Sequence, residues 1–134
     1  MHEVSIALAV VDELAARIPD DGTEKITAVY LRVGKLTAVD IRAMEFAWDL
    51  VTEGTLASSS RLEIETVPLK IFCKSCASER IVDGVLPVCP SCGSSSDAIT
   101  GGRELLISAV EVSDAGTNRG SPAEHPTQEQ HLRA

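Results

Sequence analysis

The sequence predicts an α+β fold: a small sheet carrying two helices, with a second, smaller domain inserted between two of the strands. Three observations predict this. Helical and strand periodicities alternate through the first 70 residues, and all four cysteines lie between Cys73 and Cys92. The segment around those cysteines, rich in Cys, Ser, Gly and Pro, interrupts two runs of strand-like alternation. A chain of 134 residues supports one modest core, or a core and a satellite held by a metal or a disulfide. Hydrophobic residues make up 44% of it, but the aromatic ones are only Tyr30, Phe46, Trp48 and Phe72, so the predicted core is aliphatic.

The first element is a helix from Ser5 to about Ile18. Ile6, Val10, Leu14 and Ile18 recur every four residues, Val11 and Ala15 widen that face, and Asp12, Glu13 and Arg17 lie opposite. Pro19-Asp20-Asp21-Gly22 ends it with turn-forming residues. In "KITAVYLRVGKL" a strand follows, with Thr27, Val29, Leu31 and Val33 on one face and Ile26, Ala28, Tyr30 and Arg32 on the other. A second helix is expected with Thr37 as N-cap and Asp40 completing a capping box; Ile41, Met44, Phe46, Trp48, Leu50 and Val51 supply its apolar surface, and Gly54 marks its end.

"RLEIETV" alternates as a strand with one wet face, Leu62, Ile64 and Thr66 inward, and "ELLISAVEV", from about Glu104 to Val112, forms a third strand. The expected organisation is a main domain of residues 1–70 with 101–113, an inserted domain of 71–100, and a tail of 114–134. The tail has too little apolar surface to offset its ordering entropy and is expected to be disordered.

The formal net charge of −8 and the lack of any basic cluster argue against nucleic acid as a partner. No stretch approaches the length of a membrane span, and the start lacks the cationic region of a secretory signal. A cytoplasmic location follows as the expectation. There thiols stay reduced, which favours metal over disulfides.

Cys73, Cys76, Cys89 and Cys92 form two Cys-x-x-Cys pairs twelve residues apart. Each pair in a tight turn puts two thiolates on one ion, and together they complete a tetrahedron. Two disulfides, a thioredoxin-like redox pair and a rubredoxin-like iron site use similar residues. The compartment argues against the first, the unexplained other pair against the second, and Ala77 after the first pair against the third. Structural zinc, Zn(II), is the reading these residues support. The site has no spare histidine or carboxylate, so it is closed, and it should supply much of the folding free energy of its small segment.

The amino terminus, "MHEVS", is a second candidate. The bulky His2 should keep Met1 in place, and the Met1 amine, the His2 backbone nitrogen and the His2 imidazole can then close two fused chelate rings around one ion. Planar nitrogen donors suit Ni(II) or Cu(II). The bland alternatives are an exposed histidine, a Glu3 that favours the positive end of the first helix, and an Asp40 that serves only as a capping residue.

"MHEVS", "VYLRVGKLTAVD", "FAWDLVTEGT", "LEIE", "CKSC" and "CPSCG", in this order over about residues 1–113, resemble the HypA/HybF family of hydrogenase nickel-incorporation proteins. The resemblance implies a nickel-binding α/β domain and a zinc domain held by the four cysteines. It implies that His2 is the essential nickel ligand, with the Met1 amine and backbone nitrogens nearby. Glu3 belongs to the same start, by backbone coordination or partner contact, and Asp40 is where a family carboxylate can complete the nickel sphere.

It also implies a nickel metallochaperone, not an enzyme, working with a HypB-type nickel-binding GTPase on the large subunit of [NiFe]-hydrogenase, with urease as a further recipient in some members. A P-loop is absent, so nucleotide hydrolysis belongs to the partner. A zinc-ribbon interaction module without nickel function is the alternative. Monomer and homodimer both fit. The long polar tail, with His125 and His131, departs from the family pattern and is not read as a metal site.

Overall fold

The computed structural model describes residues 2–19, 22–114, 123–125 and 130–131. Helix α1 spans His2–Arg17, strand β1 Glu24–Gly34, and helix α2 Ile41–Thr52. Strands β2 (Arg61–Val67), β3 (Leu69–Cys73), β4 (Ser78–Val82), β5 (Ile99–Gly101) and β6 (Leu105–Asp114) follow, then two short pieces, β7 (Ala123–His125) and β8 (Gln130–His131). One sheet has the order β2-β1-β6-β7, with β8 also on β6; a second, three-stranded sheet has the order β4-β3-β5. The fold class is the expected one, two helices with small sheets and a zinc-ribbon-like cysteine segment.

The chain divides into two compact units. One comprises residues 1–31, 39–64 and the chain from Leu106; the other comprises 32–38 and 65–105. In the first, α1 buries Ile6, Ala7, Val10 and Leu14. Its apolar stripe therefore runs through Ala7, while Ala15 is exposed and Ile18 only half-buried. Arg17 in the last turn suits the negative end of the helix and donates from Nε to Glu13 Oε2 at 3.1 Å. On β1, Val29 and Leu31 of one face are buried, and so are Ile26 and Ala28 of the other, so over these residues the strand is covered on both faces.

Helix α2 starts later than the sequence suggests. Thr37 closes a single 3-10 turn, Lys35–Thr37, with its hydroxyl donating to the Gly34 carbonyl at 2.7 Å. Ala38 then takes a left-handed φ of 57°, which redirects the chain, and Asp40 becomes the N-cap, accepting from the Ala43 amide at 3.1 Å. The expected capping box at Thr37 is thus replaced by a one-residue cap at Asp40. The buried face of α2 is Met44, Ala47, Trp48 and Thr52. Trp48 donates from Nε1 to the Ser60 hydroxyl at 3.0 Å, which satisfies the one polar atom of the largest buried side chain. Phe46 and Leu50, expected to contribute apolar surface, are 71% and 58% exposed because they fall on the opposite side of the helical wheel.

The second unit is built on Leu69, Ile71, Cys73, Val82 and Cys89, with Leu36, Cys76 and Ile99 packed against them. It reaches beyond 71–100 because residues 32–38 join it: the Gly34 amide donates to the Glu104 carbonyl at 2.7 Å and the Leu36 amide to the Gly102 carbonyl at 2.8 Å. Gly34 has an ordinary extended backbone, but a Cβ there would lie 2.1 Å from the Gly102 carbonyl oxygen. Only glycine allows that approach.

The tail was expected to lack structure. Its described residues instead pair antiparallel with β6, Val110 opposite His125 and Leu106 opposite His131. Open backbone groups on a strand edge can be met by any backbone, so this pairing needs no apolar side chains. The other residues from 115 on lie outside the described set.

Candidate metal centres

The strand β3 delivers Cys73 at its last position, and the turn that follows carries Cys76, whose amide points at the Cys73 sulfur at 3.5 Å. Ala77 then has a positive φ of 53°. The second pair sits in a matching turn, with the Gly93 amide donating to the Cys89 carbonyl at 2.9 Å and the Cys89 amide to the Ser94 carbonyl at 2.8 Å. Gly93, at φ 77°, takes the left-handed conformation by which the chain leaves that turn.

All four sulfurs lie within 4.8 Å of one another, with Cys73 to Cys92 at 3.6 Å and Cys76 to Cys89 at 3.9 Å. A tetrahedron with metal–sulfur bonds of about 2.3 Å has edges of about 3.8 Å, so this set fits a single zinc ion. The thiols are free of disulfides. Cys73 and Cys89 are buried at 1% exposure, Cys76 is half-buried and Cys92 exposed.

Their proton affinities diverge. The Cys92 amide brings Cys89 down to about 6, and the Ser94 hydroxyl lowers Cys92. Cys76 is pushed up to about 11: the Arg80 guanidinium acts to lower it, but hydrogen bonding to Cys92 and Cys73 and burial outweigh that pull. Four thiolates so close repel one another, and a divalent cation supplies the charge that lets all four ionise.

At the other candidate centre, His2 opens α1 with its imidazole 52% exposed, and its Nε2 lies 3.5 Å from Glu3 Oε2. Glu3 is buried, on the same helix face as Ile6 and Ala7, and its Oε2 accepts from the Asp40 amide at 3.2 Å. That bond is the main reason its carboxyl stays below the ordinary value of 4.5, against the opposing effect of burial. His2, Glu3 and the backbone of Asp40 are thus together, while the exposed Asp40 carboxylate is engaged in capping α2. Met1 lies outside the described residues, as do the side chains of His125 and His131. Among the described residues, the four cysteines are the one group of three or more metal-type side chains whose ligand atoms converge.

Sequence reasoning names Glu3 among the nickel-site candidates but misses its burial, although its spacing from Ile6 and Ala7 puts it on the apolar face, and it misses one further residue. Arg80, whose charge acts on Cys76 and Cys89, lies four residues beyond Cys76 with no ligand-type signal of its own.

Four thiols converging within one small α+β chain define a metal-binding protein. The family described as "Hydrogenase/urease nickel incorporation, metallochaperone, hypA" matches residues 1–112. The chain belongs to this family. It is 41% identical over 113 residues to the hydrogenase maturation factor HypA of Prosthecochloris aestuarii, covering 84% of this chain and 99% of the relative. The HypA of Chloroflexus aggregans matches with the same identity and coverage. The fold is also similar to the solution structure of the Ni metallochaperone HypA from Helicobacter pylori. There the TM-score is 0.53 at 24% identity, over 82% of this chain and 96% of that one.

Proposed function

We propose that this protein is a nickel metallochaperone of hydrogenase maturation that takes up Ni(II) at its amino terminus and passes it to the large subunit of [NiFe]-hydrogenase, with urease as a second recipient. Membership of a family described by nickel incorporation supports this function, and one structural observation carries the choice of site. His2 stands half exposed at the very start of α1, where the first amides of a helix have no carbonyl before them and remain available to other partners.

In this reading nickel is cargo, held by the Met1 amine, the His2 backbone nitrogen and the His2 imidazole. Glu3 and Asp40 contribute through the contact between them, and the Asp40 carboxylate is a further donor only if it leaves its cap. Cys73, Cys76, Cys89 and Cys92 hold structural zinc, which organises their segment and takes no part in transfer.

An exposed terminal site also suits release. Protonation or displacement of the amine opens the chelate stepwise, so an acceptor with better donors can draw the ion away. A HypB-type nickel-binding GTPase would supply nucleotide hydrolysis, and the transfer would take place in the cytoplasm. No helix among the described residues is long and apolar enough to cross a membrane. A zinc-ribbon interaction module without nickel function is not favoured, since the family is described by nickel incorporation.

The test is calorimetric titration of Ni(II) into the zinc-loaded protein and its His2→Ala variant. The expected result is one equivalent of nickel bound by the first and none by the second, with zinc content and far-ultraviolet dichroism unchanged. Nickel binding of equal affinity in both proteins would remove His2 from the site.

A further inference from the structure

Two polar side-chain atoms among the described residues are buried without a hydrogen-bond partner, the Ser78 hydroxyl and Arg80 Nε. Both belong to β4, and the register of the β3–β4 pair says where they point. Cys73 is opposite Ser78 and Ile71 opposite Arg80. Side chains of directly opposed residues in an antiparallel pair leave the sheet on the same side. Ser78 and Arg80 therefore share the face that carries Cys73 and the buried Ile71, and the Arg80 charge is near enough to act on Cys76 and Cys89. A cation with a buried, unsatisfied donor thus lies on the face that carries the cysteine cluster.

We propose that Arg80 is a positioning residue of the four-cysteine metal site, donating N–H···S hydrogen bonds to its thiolates and offsetting part of the negative charge of the loaded centre. The inference rests on the zinc reading of the cysteines. Four thiolates around a divalent ion keep two net negative charges, and two of these sulfurs are almost fully buried, where such charge is costly. A guanidinium is permanently charged and presents several donors in a rigid fork, so it can serve two sulfurs at once. Its donors also withdraw electron density from the sulfurs, which acts on the bonding as well as on the charge.

The test uses the full chain loaded with Co(II) as a spectroscopic substitute for zinc, with affinity read by chelator competition. For Arg80→Met the expected result is affinity about 10–100-fold weaker, the usual effect of removing a residue that supports metal ligands. The sulfur-to-cobalt charge-transfer band should also move to lower energy, because sulfurs without hydrogen bonds donate more readily. A purely structural role would not move that band. Arg80→Lys, which keeps the charge but not the fork, should lie between the two in both measurements. Wild-type affinity together with an unshifted band in Arg80→Met overturns the proposal. If Arg80→Met does not fold with metal in excess, the same two readings on Arg80→Lys decide it. If the unsubstituted protein shows no tetrathiolate cobalt spectrum, the four-cysteine reading fails first and takes this role with it.

Discussion

Glu3 shows how much one carboxylate can do at the start of a helix. It is only 7% exposed, so its charge is tolerated because the Asp40 amide meets it. A carboxyl whose folded pKa is lowered stabilises the fold above its unfolded value and loses that contribution as pH falls through the folded one. Glu3→Gln should therefore cost stability at neutral pH, and progressively less as the pH falls below the ordinary carboxyl value of 4.5 and through the lowered folded one. Urea midpoints measured for both proteins from neutral to acid pH check this, and parallel profiles would contradict it. The glutamate itself was plain in "MHEVS", but the helix was expected only from Ser5 and in fact includes it. Its partner was not, because that amide lies 37 residues away and backbone groups leave no mark in a sequence.

The sequence misplaces the start of both helices: α1 begins at His2 and not Ser5, and α2 begins at Ile41, later than a cap at Thr37 implies. Thr37-Ala-Val-Asp40 satisfies a capping box on paper, yet the left-handed turn at Ala38 separates the two residues and hands the cap to Asp40. Which of two adjacent cap candidates wins depends on how the preceding chain is anchored, here through the Gly34 carbonyl, and periodicity carries no such information. Asp40→Ala should destabilise the protein by about 0.5–2 kcal/mol, whereas Asp40→Asn, which can still cap, should be close to neutral. Thermal unfolding of the two variants provides the comparison. Equal losses in both would mean that charge, not the cap, is what Asp40 contributes. Strand and helix types were otherwise legible because aliphatic residues recur at clear periods. Strands β3, β4 and β5 were not, since they are short and lie among turn residues that mask the alternation.

For the whole molecule, the division into two units predicts an uneven response to metal removal. The cysteine unit has a small aliphatic cluster, two of whose buried members are metal-ligand cysteines, so its fold is coupled to the ion. Chelation of zinc should collapse the amide resonances of residues 65–105 while those of α1 and α2 persist. Uniform loss or uniform retention across the spectrum would refute that division. Once metal-free and unfolded, all four thiols should alkylate at similar rates at neutral pH, read by peptide mass spectrometry, whereas in the zinc-loaded protein they should be protected. The cysteine spacing made this centre readable from the sequence alone. The reach of its unit to residues 32–38 was hidden, because it depends on two backbone hydrogen bonds and on Gly34 having no side chain.

That glycine contact bears on how the protein can be taken apart. A gene fragment encoding residues 65–105 contains every cysteine and looks like a transferable cassette. It would leave behind the strip around Gly34 and Leu36 whose amides close on Glu104 and Gly102. The metal unit is therefore not a module in the sense of something inherited or grafted whole: its ligands come from one stretch of chain and part of its frame from another, and the two have to be exchanged together.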